Sequence, residues 1–336
     1  MSPHRSQLET IVGHDLLKDL VRKMVERESI PHALLFHGPD GIGKKDMAYA
    51  VGKFINCRGE PGSTACRCST CTKVSRDTHL DFTVLKPKGG RVISIDEIRA
   101  VQDRAWVTPV EARKRVILIF DAERMSRSAA NGLLKILEEP PSHLVIIMTT
   151  DNPNNLLPTI RSRCMSFRFH PVPVDEIKSW LIRERGVTEP EAEVAALLSE
   201  GRPGPALEII EGGFLDRRNE MIREIDLLSE KGYPAIFRIA QKLCPRGVKL
   251  ENALDDMLVW YRDLLVSRLA PGKKDILVNR DQSEELQSRS SRFTETGLFE
   301  AFRRVLESQD YGRRFVNPYL VLFVLLTKVG SSLKNM

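Results

Sequence analysis

Four unbroken apolar runs constrain this chain more than any other feature. They are ALLFHG at 33–38, FTVL at 82–85, VILIFD at 116–121 and VIIMTT at 145–150. A strand with one wet face alternates apolar and polar residues, whereas a continuous run belongs to a strand covered on both faces, as in a parallel sheet. Parallel strands need crossovers, and the segments 46–55 and 128–139 between the runs carry helical periodicity. The expected fold class for the first part is therefore α/β, a parallel sheet with helices on both faces.

Strand signals stop after Pro171 and Pro173. The segments 175–185 and 189–200 read as short helices, each opened by acidic residues and followed by glycine. Gly212-Gly213 reads as a linker. The remainder is helical in pattern, most clearly at 250–269, where Leu254, Leu258, Tyr261 and Leu265 recur at helical spacing. Trp260 and Tyr261 are expected in a helical core, and 319–326 as a further core-facing helix. With 336 residues the chain exceeds one core. Three domains are expected: an α/β domain at 1–170, a small helical lid at 171–212 and an all-α C-terminal domain at 213–336. No internal repeat or low-complexity segment interrupts them.

Charge permits a polyanionic partner without demanding one: 51 Lys and Arg stand against 45 Asp and Glu, a net of +6. The densest basic groups, Arg113-Lys114-Arg115 and Arg313-Arg314, read as solvated edges, and no aromatic-interleaved platform for stacking bases accompanies them. The longest apolar stretch, 319–329, contains Lys328 and is shorter than the roughly 18 residues a membrane crossing needs. The N-terminal MSPHRSQLET has no apolar signal core. The expectation is a cytoplasmic protein with no membrane partner.

The segment GPDGIGKK at 38–45 nearly spells a phosphate-binding loop. Gly38, Gly41 and Gly43 let backbone N–H groups wrap phosphates at a helix N-terminus, and Lys44 stands where a lysine reaches the outer phosphates. Lys45, however, stands where a Ser or Thr hydroxyl ligates magnesium. The run at 116–121 ends in Asp121, suited to supporting magnesium, yet Ala122 follows where a water-activating glutamate is expected. Glu123 comes one position late. Asp121 is equally readable as a strand-end turn residue.

Of six cysteines, Cys57, Cys66, Cys68 and Cys71 fall within fifteen residues. In a chain without a secretion signal, four close thiols suggest a tetrahedral structural zinc site rather than disulfides. The alternative is four reduced thiols.

The run DAERMSRSAANGLLKILEEPPSHLVIIMTTDNPNNLLPTIRSRC at 121–164 resembles the AAA+ clamp-loader family of bacterial DNA polymerase III. The resemblance is carried by LLKILEEPP at 133–141 and Ser162-Arg163-Cys164, and IVGH at 11–14, IDEIR at 95–99 and Thr149-Thr150 fit it. It is strong over 8–210 and thinner beyond. It implies an AAA+ domain, a lid and a helical collar for assembly, with Thr150 added to the nucleotide-binding set. It implies that Arg163 is an arginine finger, reaching in trans into a neighbour's ATP site, a role worth a rate factor of about 10³ to 10⁵. It also implies a zinc module at the cysteines, although the family's two-residue gap between the second and third ligands is here Arg67 alone.

Three departures bear on ATP and magnesium in the chain's own site: Lys45, Ala122, and Gly204 where the family's hydrolysing members carry a lid arginine. They point to a non-hydrolysing stator, with which WYRDLL at 260–265 also agrees. Lys44 and Asp121 keep an ATP-hydrolysing motor of tau/gamma type open as the alternative, and a zinc-dependent nucleic-acid-binding module is a third. The partners implied are tau/gamma motor subunits and a delta subunit in a five-membered ring, and through them a sliding clamp and primed DNA, without sequence preference, during DNA replication.

Overall fold

The computed structural model describes residues 8–59, 66–226, 233–244, 250–312 and 317–334. Arg313-Arg314 lie outside them. The chain divides into two compact units, the first formed by 1–185 with 199–206, the second by 186–198 with 207–336.

In the first unit the elements run α1 (Asp15–Glu26), β1 (Ala33–His37), α2 (Lys44–Asn56), α3 (Ser69–Ser75), β2 (Phe82–Leu85), α4 (Ile95–Ala105), β3 (Arg115–Ile119), α5 (Arg127–Glu138), β4 (Leu144–Thr150), α6 (Pro158–Arg161), β5 (Met165–Arg168) and α7 (Val174–Arg185). The strands form one sheet in the order β2-β3-β4-β1-β5, every pair parallel. The four apolar runs are strands, as their patterning requires. A fifth, β5, is an addition: Met165, Ser166 and Arg168 are exposed and only Phe167 is half-buried, so an edge strand leaves almost no apolar signal.

Successive residues of the central strands feed opposite cores, the period of two inherent in a strand. Leu34, Phe36, Val116, Leu118, Val145 and Ile147 pack with Met47, Ala50 and Val51 of α2. Ala33, Leu35, Ile117, Ile119, Ile146 and Met148 pack with Ile98 and Val101 of α4 and Leu133 and Ile136 of α5. Local sequence starts these helices. Ser94 and Glu97 form a reciprocal capping box at α4, and the Ser126 side chain accepts from the Ala129 N–H at α5.

Arg115 corrects the expectation that residues 113–115 form a solvated edge. It is buried, and its guanidinium donates to Asp81 at 2.9 Å and to the carbonyls of Val107 and Thr108 at 3.1 and 3.3 Å. Asp81, wholly buried, also accepts the N–H groups of Val110, Glu111 and Ala112 at 3.0, 2.8 and 2.9 Å. Burial pushes its carboxyl up, but these donors and Arg115 outweigh it and hold the group below its ordinary range.

The second unit is helical, with α8 (Glu189–Leu198), α10 (Phe214–Asp226), α11 (Tyr233–Leu243), α12 (Leu250–Leu269), α13 (Ser283–Ser290), α14 (Glu295–Gly312) and α15 (Pro318–Lys334). The helix α9 (Pro203–Glu211) spans the division, its first turn belonging to the first unit. Trp260 and Tyr261 are buried in the apolar cluster of this unit with Leu254, Leu298 and Leu322. Among the described residues no helix is long and apolar enough to cross a membrane.

Candidate functional site

The phosphate loop joins β1 to α2 at the C-terminal edge of the sheet, where the ends of β3 and β4 also lie. His14 supports it from below α1. Its ring rests against Phe169 at 4.6 Å, its Nε2 lies 3.3 Å from the Ile42 carbonyl, which can only accept, and burial lowers its pKa. The loop bends through Gly41 and Gly43 at φ of +75° and +99°, values that favour glycine.

Both lysines turn inward onto acceptors of this same unit. Lys44, only 4% exposed, donates to the carbonyls of Gly38 and Pro39 at 2.6 and 2.7 Å and to Asp151 at 2.8 Å. Lys45 reaches both carboxylate oxygens of Asp121, at 2.8 and 3.0 Å, with its ammonium 6.0 Å from the centre of the Phe120 ring. The carboxylate suited to magnesium therefore has an ammonium on it, and the position that normally supplies a hydroxyl ligand supplies that ammonium. Ala122 is buried in the core, so the place of a water-activating carboxylate is a packing position. Thr150 is buried and donates to the Asn152 carbonyl at 3.1 Å, and Thr149 accepts the Asp121 N–H at 3.1 Å.

The first turn of α9 meets the loop directly. Gly204 donates its N–H to the Gly41 carbonyl at 2.8 Å. A Cβ on Gly204 would stand 2.9 Å from both Cα and O of Gly41, and one on Gly41 would stand 2.5 Å from Pro205 Cδ. Neither position has room for a side chain.

Arg163 follows α6. Its guanidinium donates to the Thr159 carbonyl at 2.9 Å and pairs with Glu138 at 2.8 Å, and the side chain is about one-third exposed. Cys164 beside it donates to the Ile160 carbonyl at 3.0 Å, and burial pushes its thiol up to about 12.

The four cysteines converge at the other end of α2. All four sulfurs lie within 4.8 Å of one another. Cys57 Sγ is 3.4, 3.9 and 3.8 Å from those of Cys66, Cys68 and Cys71. A zinc ion with Zn–S bonds of about 2.3 Å spans sulfur tetrahedra with edges of about 3.8 Å, so the set fits such an ion. The single residue between Cys66 and Cys68 does not prevent closure, because Cys68 caps α3 and its sulfur accepts the Cys71 N–H at 3.5 Å. Burial and the neighbouring thiol raise Cys57 to about 11, and burial raises Cys71 further. At Cys68 burial is outweighed by N–H donors of Cys71 and Arg58, and its pKa falls to about 6.

Asp151 and His14 were not singled out in the sequence. Asp151 lies 107 residues from its partner Lys44. Its only local signal is an acid just beyond the strand-end pair Thr149-Thr150, whereas His14 sits in the IVGH run already noted.

A parallel sheet in this order, with a phosphate loop between β1 and α2 and a helical segment behind it, defines a P-loop domain of AAA+ type. Residues 13–173 match the family model described as DNA polymerase III, delta subunit, and 213–330 match that of its C-terminal part. A Bacillus subtilis protein described as DNA polymerase III subunit delta' is 30% identical over 86% of this chain and 88% of its own length. The Escherichia coli delta' subunit is 33% identical over 58% of this chain and 59% of its own. The Bacillus subtilis tau subunit is 24% identical over 96% of this chain and 61% of its own. The chain belongs to the DNA polymerase III clamp-loader subunit family.

Proposed function

We propose that this chain is the delta-prime member of the clamp loader, a stator that does not itself hydrolyse ATP and that lends Arg163 to a neighbouring subunit's ATP site. The observation that carries the reading is the Lys45 ammonium on Asp121, with Ala122 beside it. Hydrolysis in a P-loop site needs magnesium between a hydroxyl and a carboxylate, and a positioned water. Here the hydroxyl is a cation, the carboxylate is neutralised and the water-activating side chain is a methyl group. Arg163 is at the surface in the turn just past a short helix, held by one carboxylate and one carbonyl, both exchangeable for a phosphate.

In this reading residues 1–170 form the AAA+ domain, 171–212 the lid and 213–336 the collar through which tau/gamma and delta subunits assemble. The complex acts on a sliding clamp and primed DNA, and Cys57, Cys66, Cys68 and Cys71 hold a structural zinc. The test is a ring reconstituted with tau/gamma and delta subunits. Arg163→Ala should leave assembly intact and slow ATP turnover by tenfold or more, on the order expected for a lost arginine finger. Unchanged turnover would sink the finger assignment. Turnover by the isolated chain that vanished in Lys44→Ala would favour the motor reading instead.

A further inference from the structure

In phosphate-loop enzymes the contacts joining the loop to the neighbouring strand ends run through a ligand. The loop lysine reaches the outer phosphates, and magnesium joins the loop hydroxyl to the strand-end aspartate. In this chain the same places are joined without one. An ammonium has three N–H donors, and Lys44 has three acceptors within 2.8 Å: the carbonyls of Gly38 and Pro39 and the carboxylate of Asp151. Lys45 bridges from the start of α2 to Asp121 at the end of β3. The Gly41 N–H, at the tip of the loop, is taken by the side chain of Asp40 at 2.9 Å, and the Gly41 carbonyl by Gly204 at 2.8 Å.

Asp151 also opens the arm that leads to Arg163. The Asn152 side chain accepts the Asn154 N–H at 2.9 Å, the Asn154 side chain accepts from Arg161 at 2.9 Å, and Arg163 itself donates to the Thr159 carbonyl at 2.9 Å. The pull of Lys44 on Asp151 therefore acts at the root of a hydrogen-bonded segment whose far end is the finger.

The geometry points to Lys44 and Lys45 as resident cations that stand in for a magnesium nucleotide in tying these strand ends together, with Lys44 a positioning residue for the 151–163 arm. Only the consequence for Arg163 rests on the function proposed above; the cross-links do not. A ligand would gain entry only by breaking contacts already made, and a loop closed in this way is ordered in the absence of any nucleotide.

Amide hydrogen exchange on the isolated full-length chain, alone and with millimolar Mg·ADP or Mg·ATP, tests this. Protection of 38–45 and 151–163 should be the same with and without nucleotide. Lys44→Met and Asp151→Asn should each speed exchange across 151–163 by about tenfold, the ordinary worth of a charge-assisted hydrogen bond. Asp151→Asn preserves shape and so guards against misfolding of Lys44→Met. Lys45→Thr, which restores a hydroxyl and frees Asp121, should acquire magnesium-dependent protection of 38–45 while leaving 151–163 as it was. Nucleotide protection of the unaltered loop would overturn the inference. So would exchange at 151–163 indifferent to both Lys44→Met and Asp151→Asn, or a Lys45→Thr chain that gains nothing from magnesium nucleotide. In the reconstituted ring Lys44→Met should slow turnover no further once Arg163→Ala is present. If Arg163→Ala alone has no effect, the finger reading falls while the exchange results stand.

Discussion

The phosphate loop and the thiol cluster sit at the two ends of one helix, α2, and dispose of their charge in opposite ways. At the N-terminus, where a helix dipole disfavours cations, stand two lysines, and the chain answers with Asp151 and Asp121. At the C-terminus, where the dipole disfavours anions, four sulfurs crowd together. They cannot all ionise beside one another without a cation. Lys53 in the last turn of α2 feels Cys71, but burial draws its own pKa down to about 8. One end is closed by its own chain and the other has the geometry to take an ion from outside. A phosphate loop can thus be held by pairing within its own chain, whereas a cluster of four thiols has no cation of its own chain among its sulfurs to play that part.

The comparison breaks most readily at the cluster. The purified chain should carry about one zinc ion, and stripping it, or replacing Cys71 by Ser, should cost roughly 5 kcal/mol, part of the about 10 to 16 kcal/mol a zinc-finger peptide gains. Urea unfolding with and without chelator, beside metal analysis, measures it. A chain isolated free of metal and indifferent to chelator would place both ends of α2 in the same class.

Asp81 with Arg115 is the buried extreme of internal pairing, and removing one partner there should cost about 3 kcal/mol, because a charge is left stranded. Asp81→Ala should show this in equilibrium unfolding at pH 7. The sign with pH follows from a carboxyl held below its ordinary value. Its contribution is complete above the unfolded value near 3.9 and is lost as pH falls through the lowered folded one. The difference between Asp81→Ala and the unaltered chain should therefore shrink in acid, and a difference that grew in acid would mean the pair does not stabilise the fold.

The smallest effect belongs to Lys45 and Asp121, whose side chains are 42% and 25% exposed. Lys45→Met should change stability by no more than about 1 kcal/mol, as half-exposed pairs do. A larger loss in thermal unfolding would mean that the loop depends on this pair as heavily as the sheet depends on Asp81.

Much of this was legible in the sequence, and the misses share a cause. Runs such as VILIFD announce themselves because both faces of a central strand are buried, and the Leu254, Leu258, Tyr261 and Leu265 spacing announces α12. β5 was illegible, since at the sheet edge only Phe167 turns toward the core. The unusual chemistry at Lys45 was legible from one substitution, but its partner was not named as such, and Asp151 was not named at all. Pairing across 76 and 107 residues leaves no periodic trace. Arg115 misled for a related reason: flanked by Arg113 and Lys114 it looked solvated, and only Asp81, 34 positions earlier, makes its burial tolerable.

The contact between Gly204 and Gly41 also bears on how this chain can change over generations. Substituting residue 45 or 122 alters one side chain, and such steps can be taken singly. Position 204 is different, because any side chain there meets backbone at 2.9 Å, so an arginine placed there on its own would push the loop apart. In terms of heredity this contact is a ratchet: a side chain at 204 requires the loop to move with it, and no single codon accomplishes that.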